Sequence, residues 1–281
     1  MNNGPARISK FSYAALIVGF IFLYAPMLSL VIYSFNESRL VTVWAGFSTK
    51  WYGELFNDQQ IMQAAWRSLQ LAAFTATAST ILGTLSAIVI VRFKRFRGRT
   101  AFTAMITAPL VMPEVITGLS LLLLFVSLGQ WIGWPEGRGM HTIWIAHVTF
   151  TVAFVNVVIS SRLQEMDISL EEAAMDLGAN RVKTFFTITL PIISPALISG
   201  WLLAFTLSLD DLVVASFVSG PSSTTLPMVV FSSVRLGLSP KINALATILI
   251  SLVSIAAFIG WWLMWRKERQ RLRDIQDITS I

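Results

Sequence analysis

Six stretches of this sequence run without Asp, Glu, Lys or Arg for at least the ~20 residues that a helix rising 1.5 Å per residue needs to cross a bilayer: 11–35, 68–91, 115–135, 140–161, 184–209 and 242–265. They predict an all-α integral membrane protein with six transmembrane helices. Composition agrees, because charged residues make up only 13% of the chain, about half the ~25% usual in soluble domains. The third span is expected to begin earlier, near Ala101, as one kinked helix that Glu114 interrupts. A seventh uncharged run, 212–234, is broken by Gly220-Pro221-Ser222-Ser223 and by Pro227. It reads as an outer or re-entrant hairpin, not as a span. The first run follows Arg7 and Lys10, is longer than a signal-peptide core and shows no small-residue cleavage site, so it reads as a retained membrane helix.

The distribution of positive charge orients these spans. Arg7 and Lys10 precede the first, and Arg92, Lys94, Arg95, Arg97 and Arg99 follow the second. Arg162, Arg181 and Lys183 lie between the fourth and fifth, and Arg266, Lys267, Arg269, Arg271 and Arg273 follow the sixth. With six spans all four groups fall on one side, which predicts that both termini are cytoplasmic. Trp44, Trp51, Trp66, Trp131 and Trp134 then gather at the outer edge, and Trp261, Trp262 and Trp265 at the inner end of the last span, as interfacial belts.

Several classes of chemistry are excluded or disfavoured. The chain has no cysteine, so disulfides, thiolate catalysis and Cys metal sites are absent. His141 and His147 are six apart, not the three or four of a helical metal pair, so packing or a helix-end hydrogen bond is their expected role and no metal site is expected. No phosphate-loop motif G-x-x-x-x-G-K-[ST] occurs, and the longest stretch outside the membrane, 36–67, is too short to hold a core. Any ATP hydrolysis must therefore come from another chain. Nothing basic is interleaved with stacking aromatics, so no nucleic acid is expected.

The polar segment between the fourth and fifth spans has a specific build. Ser169-Leu170-Glu171-Glu172 fits a capping box, with the Ser169 hydroxyl and the Glu172 carboxylate each satisfying the other's backbone amide. Leu170, Ala173, Ala174 and Leu177 fall at i, i+3, i+4 and i+7, one apolar stripe. Gly178 stands where a helix end favours a left-handed residue, and Asn180 can cap a second helix entering the membrane. The expected result is a short helix at the membrane surface that offers its stripe to something outside the lipid.

Carboxylates within spans are costly and are candidate functional sites. Glu114 follows Pro109 and Pro113, whose missing amides free backbone carbonyls, so this site suits a cation or, equally, marks an interface with a partner subunit. Asp210 and Asp211 close the fifth span near the outer mouth. One of them lines a path, or both are solvated acids pairing with Arg235 or Lys241. Trp201 and Phe205, four apart on one helix face, either flank a cation's methylenes or pack the bundle.

Glu172-Ala173-Ala174, three residues, Gly178, nine residues, then Ile188-Thr189-Leu190-Pro191 closely resembles the EAA loop of binding-protein-dependent ABC importer permeases. Seven fixed positions within twenty residues match. The resemblance implies a type I ABC importer permease bundle in a bacterial inner membrane. It implies that the loop docks on an ATP-hydrolysing subunit, with Glu172, Ala173, Ala174, Asp176 and Gly178 as the coupling surface. Further runs resemble the polyamine-importer permeases, among them Phe22-Leu23-Tyr24-Ala25-Pro26-Met27, 108–118, Ser208-Leu209-Asp210-Asp211 and Ser219-Gly220-Pro221. Those relatives carry Asp where this chain has Glu114. The implied assembly holds a second, non-identical permease, two copies of the ATPase and a periplasmic polyamine-binding protein. ATP and Mg would bind the ATPase, and this chain would bind no cofactor and catalyse no covalent chemistry. The implied cargo is putrescine, with spermidine or another small cation as the alternative. A stand-alone secondary transporter or an intramembrane enzyme would leave the loop's spacing unexplained. The expected division is 1–66 for the first helix and outer loop, 67–265 for the permease core with its loop at 162–191, and 266–281 for a basic tail.

Overall fold

A computed structural model of the protein describes residues 10–40, 43–93, 95–237 and 239–279; Arg7 and Lys94 lie outside the described residues. The described chain is helical, and six helices are long and apolar enough to cross a membrane: Lys10–Tyr33, Gln59–Arg92, Glu114–Ile132, Met140–Glu165, Arg181–Leu209 and Pro240–Gln270. These are the six expected spans. The chain divides into two compact units, one of residues 1–62 with 232–281 and one of residues 63–231.

The smaller unit joins the first and last helices. Here α1 (Lys10–Tyr33) packs along α12 (Pro240–Thr279), which also meets the short α2 (Lys50–Phe56). α1 buries none of its own residues, as expected of a helix that is apolar all round and faces lipid. The following loop is organised on Asn36, which is buried. Its side-chain oxygen accepts from the amides of Ser38 and Ala45, its side-chain nitrogen donates to the Val43 carbonyl at 2.7 Å, and its own carbonyl accepts from Trp51 Nε1 at 2.6 Å. At the start of the next helix, Asp58 accepts from Lys241 Nζ at 3.0 Å. That hydrogen bond, helped by the Ile61 amide, holds the Asp58 carboxyl below its usual range despite partial burial. Lys241 is thus paired with Asp58. At the far end of α12, the Arg266 and Arg269 guanidiniums lie over the Trp262 and Trp265 rings at 3.7 and 3.8 Å.

The larger unit is built around α6 (Met140–Glu165), which is buried along most of its apolar length. Its first half packs Ile143 and Ala146 with Phe125 of α5 (Glu114–Ile132) and with Val214, Ala215 and Val218 of α10 (Val213–Val218). Its second half packs Val155, Ile159 and Leu163 with Ala76 and Ala87 of α3 (Gln59–Arg92) and Ile193 and Ala204 of α9 (Leu190–Leu209). Polar pairs punctuate this contact: Ser79 Oγ meets Thr151 Oγ1 at 2.6 Å, and Asn156 donates to Ser86 Oγ at 2.7 Å. Two glycines let α3 and α9 close on α6 at one point. A Cβ at Gly83 would lie 2.7 Å from Val155 Cγ1, and one at Gly200 would lie 3.3 Å from the same methyl.

The segment expected to be one kinked helix is two helices. α4 (Arg99–Val111) ends before Met112, which is extended at ψ 134°, and α5 begins at Glu114 with Pro113 as its cap. Pro113 has no amide to offer α4 and biases Met112 away from helical angles, so the chain breaks there. Pro109 by contrast is accommodated inside α4. Residues 212–234 form a short helix, a turn and the start of α11 (Leu226–Leu236). Gly220 in that turn passes so close to the Arg138 backbone that a Cβ there would sit 1.8 Å from the Arg138 carbonyl oxygen.

Candidate functional site: the surface helix and the carboxylates

The surface helix forms where the sequence places it, as α7 (Ser169–Asp176), but its start differs from expectation. Ile168 already has helical backbone angles, so Ser169 lies inside the first turn and makes no capping bond to the Glu172 amide. The carboxylate of Asp167 takes that place, accepting from the Ser169 amide at 3.0 Å, and this bond holds the Asp167 carboxyl below its usual range. The other end matches the spacing argument. Gly178 is left-handed at φ +89°, its amide bonds to the Met175 carbonyl, and the Ala179 amide reaches back to the Ala174 carbonyl. Those two bonds define a Schellman turn. Asn180 then caps α8 (Arg181–Thr184), its side-chain oxygen accepting from the Lys183 amide at 2.8 Å.

The helix runs on through a π-helical turn, Phe185–Thr189, into α9. α7 leaves Leu170, Glu172, Ala173 and Asp176 exposed, and Leu177, which caps it, is 90% accessible. On the opposite side its Glu171 carboxylate accepts from Arg92 Nη2 at 3.0 Å and from Thr189 Oγ1 at 2.8 Å. The sequence reading singled out Glu172 and passed over Glu171, whose partners lie 79 and 18 residues away.

The expected pathway residues separate. Glu114 is exposed in the first turn of α5, where the helix dipole favours a carboxylate without any cation. Asp210 and Asp211 point apart: Asp210 is exposed and Asp211 is buried. Asp211 Oδ2 meets His147 Nε2 at 3.0 Å and accepts from the Ala215 amide at 2.7 Å, and its other oxygen accepts from the Val214 amide. His147 Nδ1 meets Ser208 Oγ at 2.8 Å, and the ring is fully enclosed. The cluster therefore ties α6, α9 and the start of α10 together, and His147 has the hydrogen-bonding role its position suggested. Trp201 and Phe205 are stacked at 5.2 Å, they border the core shared by α3, α6 and α9, and Trp201 Nε1 donates to Thr77 Oγ1 at 3.1 Å. Among the described residues no group of three or more His, Asp or Glu could hold a metal ion.

Comparison with known proteins agrees with this architecture. Residues 79–265 match the family described as the binding-protein-dependent transport system inner membrane component. The chain is 67% identical over 276 residues to the putrescine transport system permease protein PotI of Escherichia coli strain K12, covering 98% of each chain. It is 43% identical over 238 residues to the spermidine/putrescine transport system permease protein PotC of the same strain, covering 84% of this chain and 88% of that one. Among solved structures it resembles a chain of a bacterial ABC transporter for the acidic polysaccharide alginate, with a TM-score of 0.69 at 19% identity over 91% of this chain and 94% of that one. A six-span helical bundle carrying an EAA loop thus belongs to the inner membrane permease components of binding-protein-dependent ABC importers.

Proposed function

We propose that this chain is the permease subunit of an ATP-driven importer of aliphatic polyamines, with putrescine as the cargo. The observation that carries the reading is the 67% identity to PotI along almost the full length of both chains. Retention of the EAA spacing on an exposed helix closed by a left-handed glycine supports it. The assembly would hold a second, non-identical permease, two copies of an ATPase that binds ATP and Mg, and a periplasmic polyamine-binding protein. Both termini and α7 would face the cytoplasm, with the core at 67–265 preceded by the first helix and outer loop and followed by a basic tail.

In this mechanism ATP binding closes the ATPase dimer and draws the EAA helices together. Glu172, Ala173, Ala174 and Asp176 meet the ATPase, and Gly178 sets the turn behind them. The bundle opens outward, the binding protein releases its cargo, and hydrolysis restores the inward state. Of the expected pathway carboxylates, Glu114 and Asp210 are exposed and would be the ones to meet a diamine. Trp201 and Phe205 would border the path, while Asp211 acts from behind by positioning α10.

Uptake of labelled putrescine by cells with and without this chain tests the reading, with spermidine and a neutral sugar as competitors and ATP depletion as control. ATP-dependent uptake that is lost on deletion and competed by polyamines alone is the expected result. Unchanged putrescine uptake would overturn the cargo assignment.

A further inference from the structure

The link from α7 to α9 along the chain is mechanically soft. It passes through the turn at Gly178, the four residues of α8 and a π-helical turn whose hydrogen bonds span one residue more than an α-helix's. Nor is α7 seated by close packing. A cavity of about 330 Å³ lies beneath it, bordered by Ile88, Phe93, Met175 and Phe185. Two buried polar atoms at its edge, Arg92 Nε and Thr184 Oγ1, have no hydrogen-bond partner.

Among the described residues, the side-chain hydrogen bonds from α7 across this space are those of Glu171. Glu171 Oε1 receives Arg92 Nη2, at the last residue of α3, and Thr189 Oγ1, at the far end of the π-helical turn. Both ionic side chains are mostly shielded, at 17% and 16% accessible, so the pair is less weakened by water than an open surface bridge. The contact to Thr189 bypasses every soft element between α7 and α9.

We propose that Glu171, with Arg92 and Thr189, is the positioning contact that makes α7, the end of α3 and the base of α9 move as one body. Glu171 does not itself meet the ATPase; Glu172 beside it does, and the proposal rests on that reading. A push on the exposed face of α7 reaches the membrane helices through the neighbouring carboxylate on its inner face. Without the contact, α7 would tilt into the cavity and ATP turnover would proceed without transport.

The test uses the full importer reconstituted in vesicles, reading solute imported per ATP hydrolysed. Arg92→Glu and Glu171→Arg are each expected to lower that ratio roughly tenfold, the scale of a typical coupling between sites, with hydrolysis little changed. The double reversal should recover most of it. Should the reversals prevent assembly, Glu171→Gln and Thr189→Val are read in the same way, with smaller losses. Spin labels at the exposed Ser169 and Ser199 give a readout independent of cargo. Their separation should stay constant on adding ATP in the parent complex and broaden in Glu171→Arg. An unchanged transport ratio in the single variants, or a label separation that shifts equally in parent and variant, overturns the proposal. Failure of the polyamine reading looks different: the parent complex imports no putrescine while the label separations still behave as stated.

Discussion

The carboxylate of Asp211 meets the imidazole of His147 at 3.0 Å, with the histidine wholly enclosed and Asp211 also accepting two backbone amides of α10. Removing one partner of such a cluster leaves the others desolvated and unpaired, at a cost of roughly 3 kcal/mol. Asp211→Ala should therefore lower the melting temperature of the solubilised protein markedly, and Asp211→Asn, which can still accept from the amides, should lower it less. Equal melting temperatures for both variants and the parent would remove the anchoring role.

Gly220 is expected to tolerate no side chain. A Cβ would stand 1.8 Å from the Arg138 carbonyl oxygen, which is backbone and cannot swing away. Gly220→Ala should cost at least the ~3 kcal/mol at the upper end of overpacking, seen as lost membrane-inserted protein on quantitative blotting.

Gly178 presents the opposite case, since open space surrounds it and only its φ of +89° resists substitution. Gly178→Ala should cost about 1 kcal/mol, and Gly178→Asn less, because asparagine enters the left-handed region more readily. Putrescine uptake should fall in that order while the amount of protein in the membrane stays constant.

Glu172 is exposed on α7, while its neighbour Glu171 carries the bond to Arg92. Glu172→Lys should abolish uptake with the subunit still inserted. Normal uptake by this variant would end its role in coupling.

Asp58 gives a pH-dependent signature. The Lys241 hydrogen bond lowers its folded-state pKa, so its stabilisation is present above the unfolded value of about 4 and is lost as pH falls through the lower, folded value. Asp58→Asn should lower the melting temperature at neutral pH, and the deficit should shrink and vanish as both proteins are taken below pH ~4.

The spans, the surface helix, its glycine turn and the Asn180 cap were legible because each depends on local sequence: run length, side-chain period, a left-handed position, a short polar side chain. The start of α7 was misread because Asp167 and Ser169 are both able caps, and Ile168 between them decides by adopting helical angles. The break at Met112 was misread because Pro109 and Pro113 look alike in sequence, yet one sits inside α4 and the other ends it. His147 with Asp211, Arg92 with Glu171 and Lys241 with Asp58 lie 64, 79 and 183 residues apart, and only the packed helices bring them together. A charged or imidazole group in or beside a long apolar run is the one local hint that such a partner exists.

Val155, with Gly83 and Gly200 closed on the same methyl, has a geometric consequence. Three helices meet there at one methyl, because neither α3 nor α9 brings a side chain of its own to the contact. Relative movement of the three helices is therefore most restricted near Val155 and has to be taken up towards their ends. A single methyl added at Gly83 would stand 2.7 Å from the Val155 methyl and would hold α3 away from α6 at the one place where the helices leave no room.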